Sequence, residues 1–334
     1  MISSPVVFEQ SGVSKVVTID PLADPRWDRF VEAHPFGLFC HLSGWKRVLE
    51  ESFTHMKGHY LTLLNQDGSI RAAMPIFEIK SIFTGNRLVS IPFATICDPL
   101  ISSDEDMKAL LDEAINLSKK LKCPKIEIRT LASVPHILDN RICSVVHHNC
   151  HQLSLEYGPE EILKTYRRQF RQQINKSMKF GFDLQMAQDE TELKEFYQLY
   201  VKSRKRLGLP PQPYQFFKLL FREFLSSRYI TVLLVRHEGR LVAGLVMFKY
   251  KNRCSCEYIG SEEKSAHLNT RHFIFWEAIK AAYSEGYKTF DFGRTGINNE
   301  NLMIYKSHWG TKAVNLPQFY YPSVHPERPV FKEG

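Results

Sequence analysis

The chain has 334 residues, of which 43% are hydrophobic and 24% charged, with 17 Gly and 17 Pro. This composition excludes a disordered or fibrous chain, and the length suits about two globular domains. A formal net charge of +8 favours anionic partners, namely nucleic acid, phosphorylated nucleotides or acidic lipid, and is compatible with peripheral association with a membrane.

The sequence lacks the usual signals for export and membrane insertion. The N-terminal stretch MISSPVVFEQ has no basic segment followed by a long apolar one, and no apolar run reaches the roughly 18 residues that span a bilayer. We therefore expect a cytoplasmic protein without a transmembrane segment. The seven cysteines show no repeated CxxC spacing, so we expect free thiols and no bound metal.

The first half of the chain reads as a hairpin, a helix and a closing strand. The stretch LTLLNQDGSIRAAMPIFEI predicts two alternating strands around Asp67-Gly68. A helix over about 104–121 follows, with Ser103 as its N-cap. The strand KIEIRT closes this half at Thr130.

The second half repeats the same order. TVLLVRHEGRLVAGLVMFKY predicts a hairpin around Glu238-Gly239, a helix over about 269–285 stops at Gly286, and KTFDFGRT closes the half at Thr295. The repeated order indicates an internal duplication of a mixed α/β unit.

A basic region joins the halves. Apolar residues at every fourth position predict one amphipathic helix from Pro159 to Gly181, and a second helix is predicted over about 190–207. The cations of the first helix are Lys164, Arg167, Arg168, Arg171, Lys176 and Lys179. Its only carboxylates lie in the first turn, so the rest of its surface is positive. This surface is either a solvated face or a binding surface for a polyanion.

Three residues near the C-terminus have chemistry that suits a site. Arg294 stands at the end of the closing strand, where α/β units often bind anions, and Asp291 is either a proton acceptor or the partner of Arg294. Lys306 lies among aromatic residues. Such a pattern is also typical of a surface strand, with the lysine stem lying along apolar neighbours.

Four motifs follow one another along the chain, namely RQQINKSMKFG, RLGLP, FDFGRT and YKSHWG. Together they resemble the Fem family of peptidoglycan-bridge aminoacyltransferases, particularly the Fem-related branch found with exosortase and exopolysaccharide systems. The resemblance covers most of 150–315 and extends weakly to HLSGWKRVL. It implies an α/β fold with mixed sheets and two tandem GNAT-like domains, residues 1–150 with 316–334 and residues 151–315. We expect two superposable halves with separate sheets, and a tail that returns to the first.

The family's activity implies transfer of an amino acid from aminoacyl-tRNA to an amine of a nucleotide- or lipid-linked cell-envelope precursor, with no tightly bound cofactor. By resemblance, Lys306 in YKSHWG lies at the reaction centre, where its ammonium suits a developing oxyanion. Asp291 is the second catalytic residue that we assign, and Glu257 and His308 are further candidates to accept the amine proton. The residues expected to bind substrate are Arg171, Arg204, Arg294, Tyr305 and Trp309.

Two departures from the family leave the acyl donor open. No inserted coiled-coil arm is visible over 181–230, and SEEKSAHLNTRHF stands where GNAT enzymes carry the Gly-rich loop that holds coenzyme A. Two other functions therefore remain. One is an acyl-CoA-dependent N-acyltransferase acting on a small or sugar amine. The other is a non-catalytic module that binds nucleotide-sugars or RNA.

Overall fold

The structure, a computed structural model, describes residues 15–82, 85–131, 137 and 139–323. Two parts of the chain discussed above lie outside the described residues. They are the N-terminal stretch MISSPVVFEQ and the end of the tail after residue 323. The strands are β1 (Val16–Ile19), β2 (Met56–Leu64), β3 (Ile70–Ile79), β4 (Arg87–Ser90), β5 (Ile126–Arg129), β6 (Cys143–Ser154), β7 (Asp183–Met186), β8 (Ile230–His237), β9 (Arg240–Tyr250), β10 (Arg253–Ser261), β11 (Thr289–Gly296) and β12 (Lys312–Tyr321). The helices are α1 (Arg26–Ala33), α2 (Ser43–Ser52), α3 (Asp104–Lys120), α4 (Pro159–Thr165), α5 (Arg168–Ser177), α6 (Glu190–Arg206), α7 (Tyr214–Phe224), α8 (Thr270–Ser284) and α9 (Glu300–Ser307).

The strand order shows the duplication directly. It is β1-β2-β3-β4-β5-β12-β6-β11-β10-β9-β8-β7. From either edge, four antiparallel strands lead to a parallel pair, β4 with β5 and β10 with β11. A helix, α3 or α8, connects the two strands of each pair, because parallel neighbours need a crossover connection. The predicted α/β class with tandem GNAT-like units is confirmed.

The expectation of separate sheets is wrong. The tail strand β12 pairs with β5, as predicted for a tail that returns to the first half. Its other edge pairs with β6, and β6 pairs with β11. These two strands therefore join the halves into one twelve-stranded sheet of the described residues. The expected domain boundaries, after residues 150 and 315, fall inside β6 and β12, and the division into domains stays a prediction.

Local signals explain where the long helices begin and end. The Ser103 hydroxyl accepts a hydrogen bond from the Asp106 N–H at 3.2 Å before α3, and Asp189 accepts one from the Glu192 N–H at 2.9 Å before α6. Each cap satisfies a backbone donor that the first turn leaves without a partner. After α8, Gly286 has a φ of +89°, a left-handed conformation that stops a helix. All three predicted helices are confirmed within a few residues.

The predicted helix between the halves is divided. Tyr166 and Arg167 are extended, with ψ of 145° and 143°, so α4 and α5 are separate helices. The Tyr166 ring is buried and meets the rings of Trp276 and Trp309 at centroid distances of 6.2 and 6.0 Å. The apolar residues at every fourth position did not reveal this break, because the Tyr166 ring faces the hydrophobic core whether its backbone is helical or extended.

One hydrophobic core lies between the two halves. Helix α2 of the first half packs against α7 of the second, and Trp45 meets Phe216 and Phe248 at centroid distances of 6.1 and 5.5 Å. At its edge, Arg47 and Glu223 form an ion pair of 2.8 Å. Residues from both halves therefore face each other across the cleft described next.

Candidate active site between diverging strands

The strands β10 and β11 are paired only near their beginnings. Their parallel pairing stops at Ser255 and Asp291, although both strands continue. A bulge follows in each strand, at Glu257 in β10 and between Asp291 and Arg294 in β11. Because a bulge leaves residues unpaired and bends its strand, a gap opens between the two strands. This gap is where the side chains described below converge.

Gly293 shapes the gap from the β11 side. Its φ is +72°, and a Cβ there would lie 3.3 Å from the Cys256 carbonyl oxygen. Glycine adopts this left-handed conformation without strain. The Gly293 N–H donates to Asp291 Oδ1 at 2.8 Å, and its carbonyl accepts from Lys306 Nζ at 2.9 Å. The glycine of FDFGRT thus turns a main-chain carbonyl towards the lysine.

Lys306 lies in this gap. It belongs to α9, and its Nζ donates to the carbonyls of Gly293 and Arg294 at 2.9 and 3.1 Å. The residue is only 7% exposed, which excludes the alternative interpretation that Lys306 lies on a surface strand. Burial lowers the pKa of Lys306 to about 8, against the opposing effects of Cys150, Cys256 and Glu257. It is therefore mainly an ammonium at neutral pH, with a third hydrogen beyond the two bonded to carbonyls.

Asp291 is held by several donors. It is 2% exposed and forms an ion pair with Arg253. The Cys150 thiol lies 3.1 and 3.2 Å from the two carboxylate oxygens. The partner of Asp291 across the strands is thus Arg253, where the sequence suggested Arg294. Its carboxylate also fixes the β11 bulge through the Gly293 N–H.

A cavity of about 60 Å³ opens between the two halves on one side of the gap. Its polar wall comprises Arg253, Ser255, Glu257 and Asp291. Its remaining wall is mainly apolar and comprises Leu38, Phe39, Cys40, Trp45, Phe93, Ala94, Thr95, Ile96, Phe248 and Tyr250. We call it the inter-half cavity. Its combination of an apolar wall and a few converging polar groups is typical of a substrate site.

Glu257 projects from the β10 bulge into the inter-half cavity. Burial raises its pKa, although the Ser255 hydroxyl, which donates to Oε1 at 2.6 Å, and the charges of Arg253, Arg294 and Lys306 act in the opposite direction. A carboxyl group with a raised pKa is a better proton acceptor than an ordinary surface carboxylate. Perturbed groups in a cleft also favour a functional site.

A second cleft, of about 390 Å³, lies at the N-terminus of α8. Its wall includes Asn269, Thr270, Arg271 and His272 from the start of α8, together with Tyr305 and Arg206. We call it the α8 cleft. Tyr305 directly precedes Lys306 in α9, although Lys306 itself lines neither the α8 cleft nor the inter-half cavity. Glu262 and Glu263 also line the cleft and offset the charges of Arg206 and Arg271, so the start of α8 is the feature that favours an anionic ligand here.

Trp309 lies in the core. It is fully buried, and its indole meets Phe170 at 4.9 Å and Phe292 at 5.5 Å between ring centroids. Trp309 therefore packs against the core and holds the end of α9 in place. Of the two aromatic residues near Lys306, Tyr305 lines the α8 cleft and Trp309 does not. A role for Trp309 in substrate binding stays a prediction. Its contacts with buried aromatic rings are those expected of a residue that positions α9.

Replacing Trp309 with Ala is expected to lower the free energy of unfolding by about 3–5 kcal/mol, the usual cost of removing a large buried aromatic side chain. The matched control is Tyr283→Ala in α8, since Tyr283 is 41% exposed and a surface change of this kind costs about 0.5 kcal/mol. Urea unfolding followed by circular dichroism measures both. Equal midpoints for Trp309→Ala and the parent chain would show that α9 does not depend on this packing.

The three predicted substrate arginines have different surroundings. Arg294 is exposed on β11 beside the carbonyls that accept from Lys306. Arg171 is half-buried on α5, the helix whose Phe170 meets His272 of the α8 cleft at 5.1 Å. Arg204 donates to the Pro210 carbonyl at 3.2 Å, so it closes the turn after α6. The structure brings Arg294 to the gap and Arg171 near the α8 cleft, while Arg204 is engaged in local structure.

Arg253 and Cys150 are site residues that were not predicted from the sequence. The alternation of Arg253, Ser255 and Glu257 along one strand was a signal that the three share a face. Cys150 gave no signal, because its partner Asp291 is 141 residues away in the chain. His308, a candidate base, lies 5.5 Å from the Phe170 ring centre and does not line either cleft.

Known proteins are similar to this chain in sequence and in fold. A family model described as an acetyltransferase (GNAT) domain matches residues 164–307. The UDP-N-acetylmuramoylpentapeptide-lysine N(6)-alanyltransferase of Weissella viridescens is 22% identical over 300 residues, which cover 84% of this chain and 86% of that protein. Among solved structures, FemX aligns with a TM-score of 0.75 and 15% identity over 92% of this chain and 97% of that one. The structure of L-PGS from Bacillus licheniformis aligns with a TM-score of 0.61 and 14% identity, over 91% and 93% of the two chains.

The match to the acetyltransferase (GNAT) domain model and the similarity to a named N-alanyltransferase identify the chain as an acyltransferase. The resemblance to the Fem family that the four motifs indicated is confirmed. Within the described part of the chain, no helix combines the length and apolar character needed to cross a membrane.

Proposed function

We propose that this chain transfers an aminoacyl group from aminoacyl-tRNA to an amine of a nucleotide- or lipid-linked cell-envelope precursor. The observation that carries this proposal is the buried Lys306 ammonium, whose acceptor Gly293 is hydrogen-bonded to Asp291 of the inter-half cavity and whose neighbour Tyr305 lines the α8 cleft. The donor enters through the α8 cleft and the acceptor amine through the inter-half cavity. The two substrates then meet at the gap.

The reaction forms one amide bond and breaks one ester bond. The acceptor nitrogen attacks the carbonyl carbon of the aminoacyl ester, and negative charge collects on the carbonyl oxygen. The carbon–oxygen bond to the ribose then breaks, and the ribose oxygen leaves with a proton. Lys306 stabilises the charged oxygen with the hydrogen that Gly293 and Arg294 do not accept. A prearranged donor of this kind contributes about 2.7–4 kcal/mol to the transition state.

Glu257 accepts the proton that the attacking amine must lose. It lines the inter-half cavity, and burial raises its pKa, which makes it a better proton acceptor than an ordinary surface carboxylate. Asp291 lies at the same centre, but its carboxylate is occupied by Arg253 and by the Gly293 N–H. We therefore assign Asp291 the role of holding Arg253 and the β11 bulge in place. Arg294, exposed at the edge of the gap, binds an anionic group of the substrate.

The surface around the α8 cleft favours a large polyanionic donor. The cleft shares Arg206, Ser261, Glu262 and Glu263 with a further groove of about 580 Å³. The cations of this groove are Lys202, Arg206, Arg236, Arg240 and Lys264, beside the carboxylates of Glu195, Glu262 and Glu263. Since the groove extends well beyond the gap, it suits a nucleic acid better than the single pyrophosphate of coenzyme A.

The donor is tested by binding. Because a ligand that binds the folded state raises its melting temperature, an aminoacyl-tRNA mixture is expected to raise that of the parent chain, and acetyl-CoA is not. A shift with acetyl-CoA alone would select the alternative of an acyl-CoA-dependent N-acyltransferase acting on a small or sugar amine. Copurified ligands identified by mass spectrometry provide an independent check on the acceptor.

The basic surface of α5 is proposed to bind the tRNA backbone. Changing Arg167, Arg168 and Arg171 together to Gln is expected to weaken tRNA binding and to flatten its dependence on salt by about one unit of log–log slope for each phosphate that is no longer neutralised. A matched variant neutralises the exposed lysines Lys119, Lys120 and Lys125 at the far end of the first half. Fluorescence anisotropy at several salt concentrations measures both slopes. An unchanged slope in the arginine variant would identify α5 as a solvated face.

The proposed location is the cytoplasm, where charged tRNA is available. A lipid-linked acceptor would bring the chain to the membrane surface, and its excess of positive charge would favour association with anionic lipid. Sedimentation with anionic vesicles distinguishes the two kinds of precursor. A chain that uses a nucleotide-linked acceptor remains in the supernatant.

A further inference from the structure

Three side chains that the proposed mechanism does not use form a cluster beside the inter-half cavity. They are Cys40 and His41 of the short 3-10 helix Phe39–His41, and Cys97 in the segment after β4. Their sulfur and nitrogen atoms all lie within 4.8 Å of one another. All three residues are buried, and Cys40 lines the cavity. A small molecule in the cavity therefore lies beside Cys40 and beside Thr95 and Ile96, the residues that precede Cys97 in the chain.

Hydrogen bonds assign the state of each group. His41 Nδ1 accepts from the Leu38 N–H at 3.0 Å, so the ring hydrogen is on Nε2. Nε2 lies 3.0 Å from the Asp98 carbonyl oxygen and 3.5 Å from Cys97 Sγ. Burial acts to raise the pKa of the Cys97 thiol, but the neighbouring Cys40 and His41 side chains lower it below its usual range.

Cys40 differs from Cys97. Its thiol donates to the Ile96 carbonyl at 3.4 Å, and burial raises its pKa well above the usual range. Cys97 is therefore the cysteine of the pair that ionises more readily, and thiol oxidation needs one such thiol beside a second one, since the thiolate is the nucleophile.

The same hydrogen bonds disfavour a metal ion. Both ring nitrogens of His41 are engaged, Nδ1 by a backbone donor and Nε2 by a backbone acceptor. A metal at Nε2 would displace the hydrogen bond to the Asp98 carbonyl and leave that buried oxygen without its donor, which costs about 1–3 kcal/mol. Two sulfurs and an occupied imidazole also fall short of the four ligands of a structural zinc site.

We propose that Cys40 and Cys97 are a redox-active pair that forms a disulfide when the protein meets hydrogen peroxide. The Cys97 thiolate attacks one peroxide oxygen, which yields a sulfenic acid and releases hydroxide. Cys40 then loses its proton to this hydroxide, and its sulfur attacks the sulfenic sulfur. The sulfur–sulfur bond forms as the second oxygen leaves as hydroxide, which becomes water by taking up the proton that Cys97 lost when it ionised. Two thiols and one peroxide give one disulfide and two waters, and a dithiol reductant reverses the change.

The disulfide changes the wall of the inter-half cavity. The two sulfurs lie up to 4.8 Å apart and approach to about 2.05 Å when bonded. Cys40 and the neighbours of Cys97, Thr95 and Ile96, all line this cavity, so closing the distance moves its wall. Oxidation then slows transfer by altering access of the acceptor, a consequence that rests on the proposed function. Formation of the bond does not depend on it.

Peptide mapping of the full-length chain tests the proposal. The chain is treated with hydrogen peroxide, denatured, alkylated and digested, and its peptides are identified by mass spectrometry. The expected result is a Cys40–Cys97 cross-linked peptide that dithiothreitol removes, with the other five cysteines alkylated as before. Cys40→Ser is expected to stop at a Cys97 sulfenic acid that dimedone traps. The matched control Cys123→Ser, at a buried cysteine outside the cluster, retains the cross-link.

Three results would overturn the proposal. The first is full alkylation of Cys40 and Cys97 after oxidation. The second is a cross-link that joins either residue to a different cysteine. The third is stoichiometric binding of Zn²⁺ that protects both thiols and is abolished in Cys97→Ser, since it would make the cluster a metal site. If peroxide forms the bond but leaves the rate of transfer unchanged, the redox pair stands and the assignment of the cavity to the acceptor fails.

Discussion

Replacing Lys306 with Ala or Met is expected to lower kcat by about 10²–10³-fold with little change in KM, the usual cost of removing one oxyanion donor. The charge that Lys306 meets exists only during transfer, so its removal affects turnover more than binding. Met keeps most of the buried volume and separates the loss of charge from a cavity. The matched control is Lys312→Ala, since Lys312 is an exposed lysine of β12. Single-turnover rates and melting temperatures are measured for each variant.

Lys306→Arg is expected to restore only part of the rate. A planar guanidinium retains the charge but does not fit the place of a compact ammonium between the carbonyls of Gly293 and Arg294. If Lys306→Ala folds normally and turns over at the parental rate, the lysine has no part in the chemistry.

The pH dependence gives a second readout for Lys306. The ammonium is present below its pKa of about 8 and is lost above it. We therefore expect kcat/KM of the parent chain to fall as the pH rises through about 8, and the residual rate of Lys306→Arg to show no such fall, because arginine stays charged. A rate that rises through pH 8 would instead assign Lys306 the role of a base.

Glu257→Gln is expected to lower kcat by about 10²–10⁴-fold, the range for removing a general base. The parental rate should rise with pH as Glu257 loses its proton, at a pH above that of an ordinary glutamate because burial raises its pKa. Gln cannot accept a proton, so the acidic limb of the profile should disappear in this variant.

Glu156→Gln serves as the control, because Glu156 is exposed between β6 and α4. If Glu257→Gln keeps the acidic limb, another group accepts the proton. Asp291→Asn then becomes the decisive variant, since Asp291 lines the same cavity. If Asp291→Asn lowers the melting temperature but keeps the acidic limb, Asp291 holds Arg253 in place and is not the proton acceptor.

The sequence predicted elements well where the signal was local. The caps at Ser103 and Asp189 and the stop at Gly286 fixed three helices, because each depends on neighbouring residues only. The order of the two halves also followed from local patterns. The division of the linker helix at Tyr166 did not, because it reflects packing against Trp276 and Trp309, more than 100 residues away in the chain.

In the candidate site, too, local features were predicted and contacts between distant parts of the chain were not. The motif around Lys306 identified the residue but suggested a strand, whereas α9 is a helix that buries the lysine. The carbonyls that hold Lys306 come from Gly293 and Arg294 on β11, and no side-chain pattern reveals main-chain acceptors. The continuous sheet was likewise beyond prediction, since it depends on the pairing of β6 with β12, two strands distant in sequence.

The most direct test of the central claim is a single-turnover transfer assay followed by mass spectrometry. The chain is mixed with an aminoacyl-tRNA pool and UDP-N-acetylmuramoylpentapeptide, the acceptor in the name of the Weissella viridescens relative, and with a lipid-linked precursor in parallel. The predicted result is an acceptor heavier by one aminoacyl residue with the parent chain, formed about 10²–10³-fold more slowly with Lys306→Met. Two results would contradict the proposed function. One is an equal rate for the parent chain and Lys306→Met, and the other is a product that forms with acetyl-CoA but not with any aminoacyl-tRNA.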